Sequence, residues 1–367
     1  MANFNFAKKF AAEKLMEKGL SYIEKDPDNN FLKILNLADK IASTDKHHRQ
    51  IDAIRENYKK NPAIQSYVKK LSNVASSYKE GLLMNFFVNS ALLGIPYQYK
   101  MSEKLGYGVP WAILMDPTSA CNLNCKGCWA GKYEKGDTLE FETMDRIINE
   151  AKDLGIYFII FSGGEPTVYP RLMELVEKHP DVGFMMYTNG TLIDDDMADK
   201  MLELGNITPA ISLEGFKKQT DQRRGDGVYD KIMATMDRLH ERGIIFGTSI
   251  TATRDNVYDL FETDEFYDML IEKGAVYSWI FHYMPIGKDP NLDMMLTPKQ
   301  RAFMAERIPE LRGNKPLFAI DFWNDGTYSG GCIAGGRRYF HINAKGDVEP
   351  CAFVHFSTDN INDKSLK

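Results

Sequence analysis

The pattern of hydrophobic and polar residues divides the chain into parts with different periodicities. In residues 1–105, apolar side chains recur at spacings of three and four with charged residues between them, which is typical of amphipathic helices. The pattern predicts helices at Lys8–Lys18, Phe31–Ala42 and Ile51–Tyr58. Gly81–Ile95 is richer in large apolar residues, and we predict a helix that packs on the domain that follows. A surface for lipid or peripheral membrane contact is the alternative interpretation of this segment.

From Trp111 onward, short β-type apolar runs alternate with helical stretches. The predicted strands are 111–116, 157–162, 182–188, 207–213, 244–251 and 276–283. The predicted helices between them are Thr143–Leu154, Arg171–His179, Asp195–Leu204, Tyr229–Arg242 and Leu260–Lys273. Such alternation favours β/α units around a parallel sheet, and six strands are too few for a closed eight-stranded barrel. We therefore predict an α/β fold, a partial (β/α)6 TIM-like barrel over residues 106–290.

The remaining residues, 291–367, form a predicted small α/β C-terminal extension. A helical pattern covers 297–311, and 342–350 reads as two short strands around a turn at Lys345–Asp347. The predicted organisation is thus a helical N-terminal region (1–105), a barrel (106–290) and this extension.

Composition narrows the function classes. The chain has 367 residues, 44% of them hydrophobic and 26% charged, with a net charge of −6. Because Lys and Arg are scattered rather than clustered, we expect no nucleic-acid partner. The N-terminus lacks the apolar segment of a secretory signal, and no apolar run reaches 18 residues. These features predict a cytoplasmic protein without a transmembrane span.

Polar and glycine-rich segments follow each of the six predicted strands. Parallel β/α folds place their chemistry at the carboxyl ends of the strands, so these segments should meet on one face of the barrel. The first of them contains Cys121, Cys125 and Cys128, three thiols within eight residues. Such thiols can ligate three irons of a cubane and leave the fourth iron open to another molecule. Spacing alone leaves two alternatives, which are zinc with a remote fourth ligand and three ordinary thiols.

The segment CNLNCKGCW, residues 121–129, resembles the CxxxCxxC signature of radical S-adenosylmethionine (radical SAM) enzymes. The resemblance implies a [4Fe–4S] cluster that binds S-adenosylmethionine (SAM) and cleaves it reductively. In that family the products are methionine and a 5′-deoxyadenosyl radical, which abstracts hydrogen from a substrate. It also implies oxidoreductase chemistry and an electron donor such as flavodoxin or ferredoxin.

Other motifs carry the same resemblance and imply contacts with SAM. SGGEP resembles the family's GGEP motif, which holds the methionyl amino group. Glu214 with Ser212 matches the position that contacts the ribose, Asn189 lies in a TNG segment at the nucleoside pocket, and Arg224 resembles the arginine that pairs with the methionyl carboxylate. The implied SAM-binding residues are Ser162, Gly163, Gly164, Glu165, Asn189, Ser212, Glu214 and Arg224.

A second cysteine pair, Cys332 and Cys351, brackets Gly346 with spacing that resembles the first part of a SPASM or twitch extension. The resemblance implies an auxiliary [4Fe–4S] cluster. This sequence ends at Lys367 without the further cysteines of that pattern, so we expect a truncated extension. The alternative is a pair of structural thiols beside the hairpin.

The substrate stays open between two classes. The extension resembles that of enzymes that modify ribosomally made peptides, whereas Gly81–Ile95 leaves room for a lipid. A non-enzyme interpretation also stands, in which the chain is an iron–sulfur electron carrier or a zinc-stabilised binding module. That interpretation assigns no role to the GGEP motif or to Arg224.

Overall fold

A computed structural model describes residues 25–41, 45–133 and 136–367, together with Lys14, Gly19 and Tyr22. Apart from Lys14, the helix predicted at Lys8–Lys18 lies outside the described residues.

One sheet of ten strands organises the described chain. Its strand order is β10-β9-β8-β1-β2-β3-β4-β5-β6-β7, and all neighbours from β8 to β7 are parallel. The strands are β1 Ala112–Met115, β2 Phe158–Phe161, β3 Gly183–Thr188, β4 Ile207–Ser212, β5 Gly247–Ala252, β6 Tyr277–His282, β7 Phe318–Asp321, β8 Tyr339–Ile342, β9 Asp347–Glu349 and β10 Asp359–Asn360. The six predicted strands and the α/β partial barrel are confirmed.

The residues after 291 extend this sheet at both edges. Strand β7 pairs with β6, while β8 pairs with β1 on the opposite side and continues into the predicted hairpin with β9. The rings of Phe322, just after β7, and Tyr339, in β8, have centroids 6.3 Å apart. The sheet therefore curls until its two edges face each other, although no strand pairing among the described residues joins β7 to β8.

Helices cover the outer face of the sheet and the N-terminal side. They are α1 Pro27–Ile41, α2 Asp45–Lys60, α3 Pro62–Ser72, α5 Phe141–Asp153, α6 Leu172–Lys178, α7 Asp195–Leu204, α8 Lys217–Arg224, α9 Val228–Glu241, α10 Val257–Phe261, α11 Glu265–Glu272, α12 Pro298–Asn314 and α13 Gly326–Ser329. Short 3₁₀ turns occupy Trp129–Lys132, Pro166–Val168 and Leu292–Met294. The predicted helix at Leu260–Lys273 is divided into α10 and α11.

Helix α4 is a continuous helical segment with pieces Ser76–Tyr78, Lys79–Leu83, Asn85–Gly94 and Ile95–Leu105, of which the second and third are π-type. It packs on the barrel, as predicted. The amide of Leu82 donates to the carbonyl of Gly205 at 2.8 Å. A side chain at Gly81 would place its Cβ 2.5 Å from that carbonyl oxygen, so glycine permits the close approach.

Alternation along the strands produces two apolar layers. Ile113 and Met115 point outward and belong to the core under the helices, whereas Ala112 and Leu114 point into the barrel lumen. No helix of the described residues has the length and apolar character needed to cross a membrane.

Candidate active site

The three clustered cysteines lie on one loop, here called the cysteine loop, between β1 and the 3₁₀ turn at Trp129–Lys132. This loop is at the carboxyl end of the sheet. Their side chains are half-buried. The Sγ of Cys121 accepts a hydrogen bond from the amide of Leu123 at 3.4 Å. The segments after β2, β4 and β6 contact this loop, so the predicted convergence of strand-end segments is present.

The segment after β2 holds the beginning of the cysteine loop in place by backbone hydrogen bonds. The amide of Gly164 donates to the carbonyl of Thr118 at 2.9 Å, and the amide of Glu165 donates to that of Ala120 at 2.8 Å. A Cβ at Gly164 would lie 2.1 Å from the carbonyl oxygen of Ala120. Glycine is required here because two backbones touch, whether or not a cofactor is bound.

The other end of the loop is held by the segment after β6 and by α8. The amide of Lys288 donates to the carbonyl of Cys128 at 3.0 Å, and the amide of Lys126 donates to that of Arg223 at 2.9 Å. The ammonium of Lys288 also donates to Oδ1 of Asn124 at 2.6 Å. At Gly287, with φ of +80°, a Cβ would lie 2.2 Å from the carbonyl oxygen of Cys128.

The surroundings of the thiols favour thiolates only when a positive charge is close to them. Burial raises the pKa of Cys121 to about 11, and the nearby Glu165 carboxylate and the other two thiols act in the same direction. A thiolate is therefore unfavourable at this position unless a metal or a cation compensates it. The guanidinium of Arg224 supplies part of that compensation, with Nη1 3.9 Å from the Sγ of Cys125. The donor set and its charge environment fit a [4Fe–4S] cluster with three protein ligands.

Among the described residues, no three His, Cys, Asp or Glu side chains converge on a position for a single metal ion. Ligands of a cubane bind different irons and need not converge in that way.

Glu165 joins the segments after β2 and β3. Its carboxylate is almost inaccessible and accepts four hydrogen bonds: Oε1 from the amide and hydroxyl of Thr167 and the hydroxyl of Thr188, and Oε2 from the amide of Asn189 at 2.6 Å. Burial raises the pKa of Glu165, while these donors oppose the shift. The Asn189 side chain donates to Oδ1 of Asn122, on the cysteine loop, at 2.8 Å. The two predicted SAM contacts thus share one hydrogen-bond network.

Glu214 and Arg224 form a buried ion pair with a third member, Arg223. Oε1 of Glu214 accepts from Arg224 Nε at 2.9 Å and from both arginines through their terminal nitrogens. Burial by itself would raise the pKa of Glu214, but the two guanidiniums hold it below its usual value. Ser212, two residues earlier, is half-buried at the end of β4. Arg223 was missed by the sequence analysis, although it adjoins Arg224 in the same basic pair.

Ser162 belongs to a buried polar chain that the sequence analysis also missed. Its hydroxyl donates to Oδ1 of Asp116 at 2.6 Å, and Oδ2 of Asp116 lies 2.9 Å from Nε2 of His341 in β8. Nδ1 of His341 lies 2.8 Å from Oε2 of Glu349, which also accepts from the hydroxyl of Tyr133 at 2.7 Å. Burial would lower the pKa of His341, but the two carboxylates raise it to about 9. This row of hydrogen-bonded and ion-paired side chains links the end of β1 to the C-terminal extension.

The second cysteine pair has different surroundings. Cys332 is exposed, and the half-buried Cys351 has its Sγ 3.0 Å from the hydroxyl of Tyr339. Cys351 contributes to the lumen layer beside Ile333 and Ala334, which follow Cys332 directly.

The fold and this site define a class of α/β protein with three clustered thiols at the mouth of a partial barrel, a donor set that fits an iron–sulfur cluster. The family model of the radical SAM superfamily matches residues 115–266, which contain the three cysteines and every predicted SAM contact. Residues 115–266 are thus a radical SAM domain, and proteins of that superfamily use a [4Fe–4S] cluster and SAM.

Several curated proteins are similar in sequence. Fe-coproporphyrin III synthase of Methanosarcina barkeri is 30% identical over 229 residues, which are 59% of this chain and 57% of that synthase. The AdoMet-dependent heme synthase of the same organism is 24% identical over 70% of this chain and 81% of its own length. Mycofactocin maturase MftC of Mycobacterium tuberculosis is 28% identical over 70% of this chain and 68% of its own. The chain thus spans under two thirds of the first of these relatives.

Solved structures share the fold. Streptococcus suis SuiB bound to S-adenosylmethionine superposes with a TM-score of 0.60 at 19% identity, covering 75% of this chain and 69% of SuiB. Native anSMEcpe with bound AdoMet and the Cp18Cys peptide gives a TM-score of 0.56 at 21% identity, with 70% and 78% covered. These likenesses support the partial-barrel architecture and carry no information on the substrate of this chain.

Proposed function

We propose that this chain binds a [4Fe–4S] cluster through Cys121, Cys125 and Cys128 and cleaves SAM reductively, so that a 5′-deoxyadenosyl radical abstracts hydrogen from an organic substrate. The observation that carries the proposal is the seating of three half-buried thiols by the strand-end segments that also contain the SAM motifs. When bound, the cluster supplies the electron for the cleavage. Relatives of this chain are named as a synthase and a maturase, and this favours an enzymatic function over an electron carrier or a zinc module.

The chain's own contribution at the methionyl end is to hold charges at fixed positions. Of the two carboxylate oxygens of Glu165, Oε1 accepts three hydrogen bonds and Oε2 accepts one, so Oε2 is the better acceptor for an incoming ammonium. Two nitrogens of Arg224 face Glu214, while Nη1 faces the cysteine loop. We assign to Nη1 the contact with the SAM carboxylate. Gly163 and Gly164 bring the backbone close to the methionyl group.

At the nucleoside end, the buried charges of Glu214, Arg223 and Arg224 order the loop after β4. Because the pair is already satisfied within the protein, it can orient a ribose without rearranging. Ser212 and Asn189 lie at the ends of β4 and β3, where hydroxyl and amide groups can hydrogen-bond to the ribose and the base. Packing of these segments around the cysteine loop excludes water from the reacting atoms.

A peptide is the first candidate substrate. MftC is named as a maturase of mycofactocin, and SuiB has a structure bound to its precursor peptide SuiA. A lipid is the second candidate, favoured by one observation. Helix α4 exposes Phe87, Leu92 and Tyr99, with 44%, 53% and 53% of their surfaces accessible, although its opposite face packs on the barrel. Lys100 lies beside Tyr99, and such a surface suits peripheral contact with a membrane.

Four further assignments complete the proposal. Cys332 and Cys351 are candidate ligands of an auxiliary [4Fe–4S] cluster in a SPASM-like extension. The pairing is supported because burial raises the pKa of Tyr339 and both thiols lie close enough to its hydroxyl to add to that rise. The domain limits are 1–105, 106–290 and 291–367. The electron donor is flavodoxin or ferredoxin. The protein acts in the cytoplasm.

Anaerobic reconstitution tests the function directly. The reconstituted protein should contain about four irons per core cluster, and its reduced form should give an electron-paramagnetic-resonance (EPR) signal that SAM perturbs. With dithionite as reductant it should form 5′-deoxyadenosine from SAM. A colourless zinc-containing protein, or an iron-loaded protein that leaves SAM intact, would contradict the proposal.

A further inference from the structure

The half-buried side chains in the upper layer of the barrel lumen, next to the cysteine loop, are uncharged. Along β5 and β6 burial alternates, because residues that face the helices are fully buried while those that face the lumen are half-buried. The half-buried residues nearest the carboxyl ends, one from each strand β2 to β6, are Ile160, Tyr187, Ser212, Thr251 and Phe281. These side chains form the floor of the accessible space beneath the cysteine loop. Ser212 is assigned to the ribose of SAM, so a substrate would rest on the side of the floor formed by Tyr187 and Phe281.

Aromatic rings enclose this floor. Phe281 lies at centroid distances of 5.7 Å from Tyr187 across the lumen, 5.2 Å from Phe322 and 6.1 Å from Trp323. Phe353 of the extension completes the wall, 5.3 Å from Trp323. Each of these rings is half-buried, so one face of the cluster is open.

The lower end of the lumen is closed. Phe86 of α4 makes edge contacts with Trp111 at 5.6 Å and with Phe158 at 5.5 Å, and those two rings stack at 5.0 Å. Ala112 and Ala210 in the layer above are almost inaccessible. The accessible space is therefore a shallow aromatic cup that opens toward the cysteine loop.

The charges nearest the cup are already paired. Nη1 of Arg223 donates to the hydroxyl of Thr251 at 3.3 Å, but this guanidinium is paired with Glu214. On the opposite side, His282 lies behind Phe281 against Asp321, with Nε2 3.1 Å from Oδ1. A carboxylate or phosphate entering the cup would lose its hydration without gaining a free cation among these groups.

We infer that the group from which hydrogen is taken is an uncharged hydrocarbon group, held in this cup by aromatic contact and desolvation. The inference rests on the proposed function and specifies its substrate class. The apolar wall continues to the surface beyond Phe353, where Val354 and Phe356 expose 44% and 65% of their surfaces. Both an acyl chain and an apolar side chain of a peptide present such a group.

The four tryptophans of the chain provide the assay. Trp129, Trp279 and Trp323 border the cup, and Trp111 lies at its closed end. The uncharged fluorophore 1-N-phenylnaphthylamine, added to the anaerobically reconstituted protein, should bind with energy transfer from these residues. Phe281→Arg should weaken binding at least about ten-fold, because a cation in an apolar site is costly.

The control is Ile54→Arg, which places the same charge on the exposed face of α2, outside the cup and away from the apolar face of α4. It should bind the probe within about two-fold of the wild type. If the circular-dichroism spectrum shows that Phe281→Arg is not folded, Phe353→Arg replaces it as the cup variant, because Phe353 lies outside the sheet. Unchanged binding in a folded cup variant, or an equal loss of binding in the Ile54 control, would overturn the inference.

Competition separates the two sources of the hydrocarbon group. Displacement of the probe by monolaurin supports an acyl chain, and displacement by N-acetylphenylalaninamide supports an aromatic side chain. If neither displaces it, or if the sulfonated analogue 8-anilinonaphthalene-1-sulfonate binds the cup more tightly, the inference fails. Formation of 5′-deoxyadenosine by the same wild-type preparation is scored separately, so failure of the cup and failure of SAM cleavage are distinguishable.

Discussion

The two cysteine regions of this protein contrast in how the fold supports them. The loop that contains Cys121, Cys125 and Cys128 is seated by backbone hydrogen bonds from three neighbouring segments, and its thiols are half-buried. In the extension, Cys332 is exposed and Cys351 contacts a tyrosine hydroxyl. Both regions have cysteine spacings that resemble cluster motifs, but only the first combines three thiols with a guanidinium 3.9 Å from one sulfur.

The difference teaches that a cluster site needs more than ligands. A loop that is already ordered binds a metal more tightly, because the free energy of ordering does not then reduce the binding free energy. The backbone contacts at Thr118, Ala120 and Cys128 provide that order in the first region. Four substitutions test the contrast, from the largest expected effect to the smallest.

Replacing Cys121, Cys125 and Cys128 together by alanine should abolish the core cluster and reduce formation of 5′-deoxyadenosine to background. The reason is that no thiolates then remain on the loop to hold iron. Iron analysis, EPR and chromatographic detection of 5′-deoxyadenosine measure the effect. Retention of a SAM-responsive EPR signal in this variant would refute the assignment of the core site.

Gly164→Ala should lower the free energy of unfolding by about 3 kcal/mol or more, since its Cβ would lie 2.1 Å from the carbonyl oxygen of Ala120. It should also reduce iron incorporation, because the cysteine loop must move. The matched control is Gly336→Ala in the extension, where φ is +78° and no atom lies within 4 Å of the added Cβ.

That control should cost only the backbone strain, about 1 kcal/mol. Urea unfolding and iron content of both variants provide the comparison. Equal losses of stability and of iron content in the two variants would argue against a special role of the backbone contact at Gly164.

His341→Gln should lower stability by about 2–3 kcal/mol near pH 6, because it leaves Asp116 and Glu349 buried without a cation. The folded-state pKa of about 9 lies above the unfolded value of 6.5. The stabilisation by this histidine is therefore fully present below pH 6.5 and is lost as the pH rises through 9.

Urea unfolding of wild type and variant between pH 6 and pH 10 measures that difference. Taking the difference removes contributions from other groups, such as Lys70, whose pKa burial lowers to about 8. If the difference in free energy of unfolding between wild type and variant grew with rising pH, it would contradict the stabilising role of the ion pairs between His341, Asp116 and Glu349.

Cys332→Ala combined with Cys351→Ala should have the smallest effect on the core site. We expect core-cluster EPR and formation of 5′-deoxyadenosine in the absence of substrate to change by less than about two-fold, because the Cys351 thiol hydrogen-bonds to Tyr339 and Phe353 in the extension and Cys332 is exposed. Any auxiliary cluster should disappear from the iron count. A large loss of the core signal would show that the two regions are coupled more strongly than their contacts indicate.

Much of the architecture could be predicted from local sequence. Alternating apolar runs located all six core strands, since period-two burial is a property of each strand. The candidate cluster ligands were identifiable because Cys121, Cys125 and Cys128 lie within eight residues and their spacing is a local feature. Where the pattern failed, as at Leu260–Lys273, the cause was a break between α10 and α11 that the apolar periodicity does not mark.

Contacts between distant segments were decided only in the tertiary structure. His341 gave no local signal, yet it lies between Asp116 and Glu349, because β8 pairs with β1 across more than 200 residues of sequence. The aromatic cup likewise joins Tyr187, Phe281 and Phe353 from three separate elements. Spacing along a chain specifies which groups a loop can offer, whereas the partners of a buried charge or ring depend on which strands become neighbours when the sheet closes.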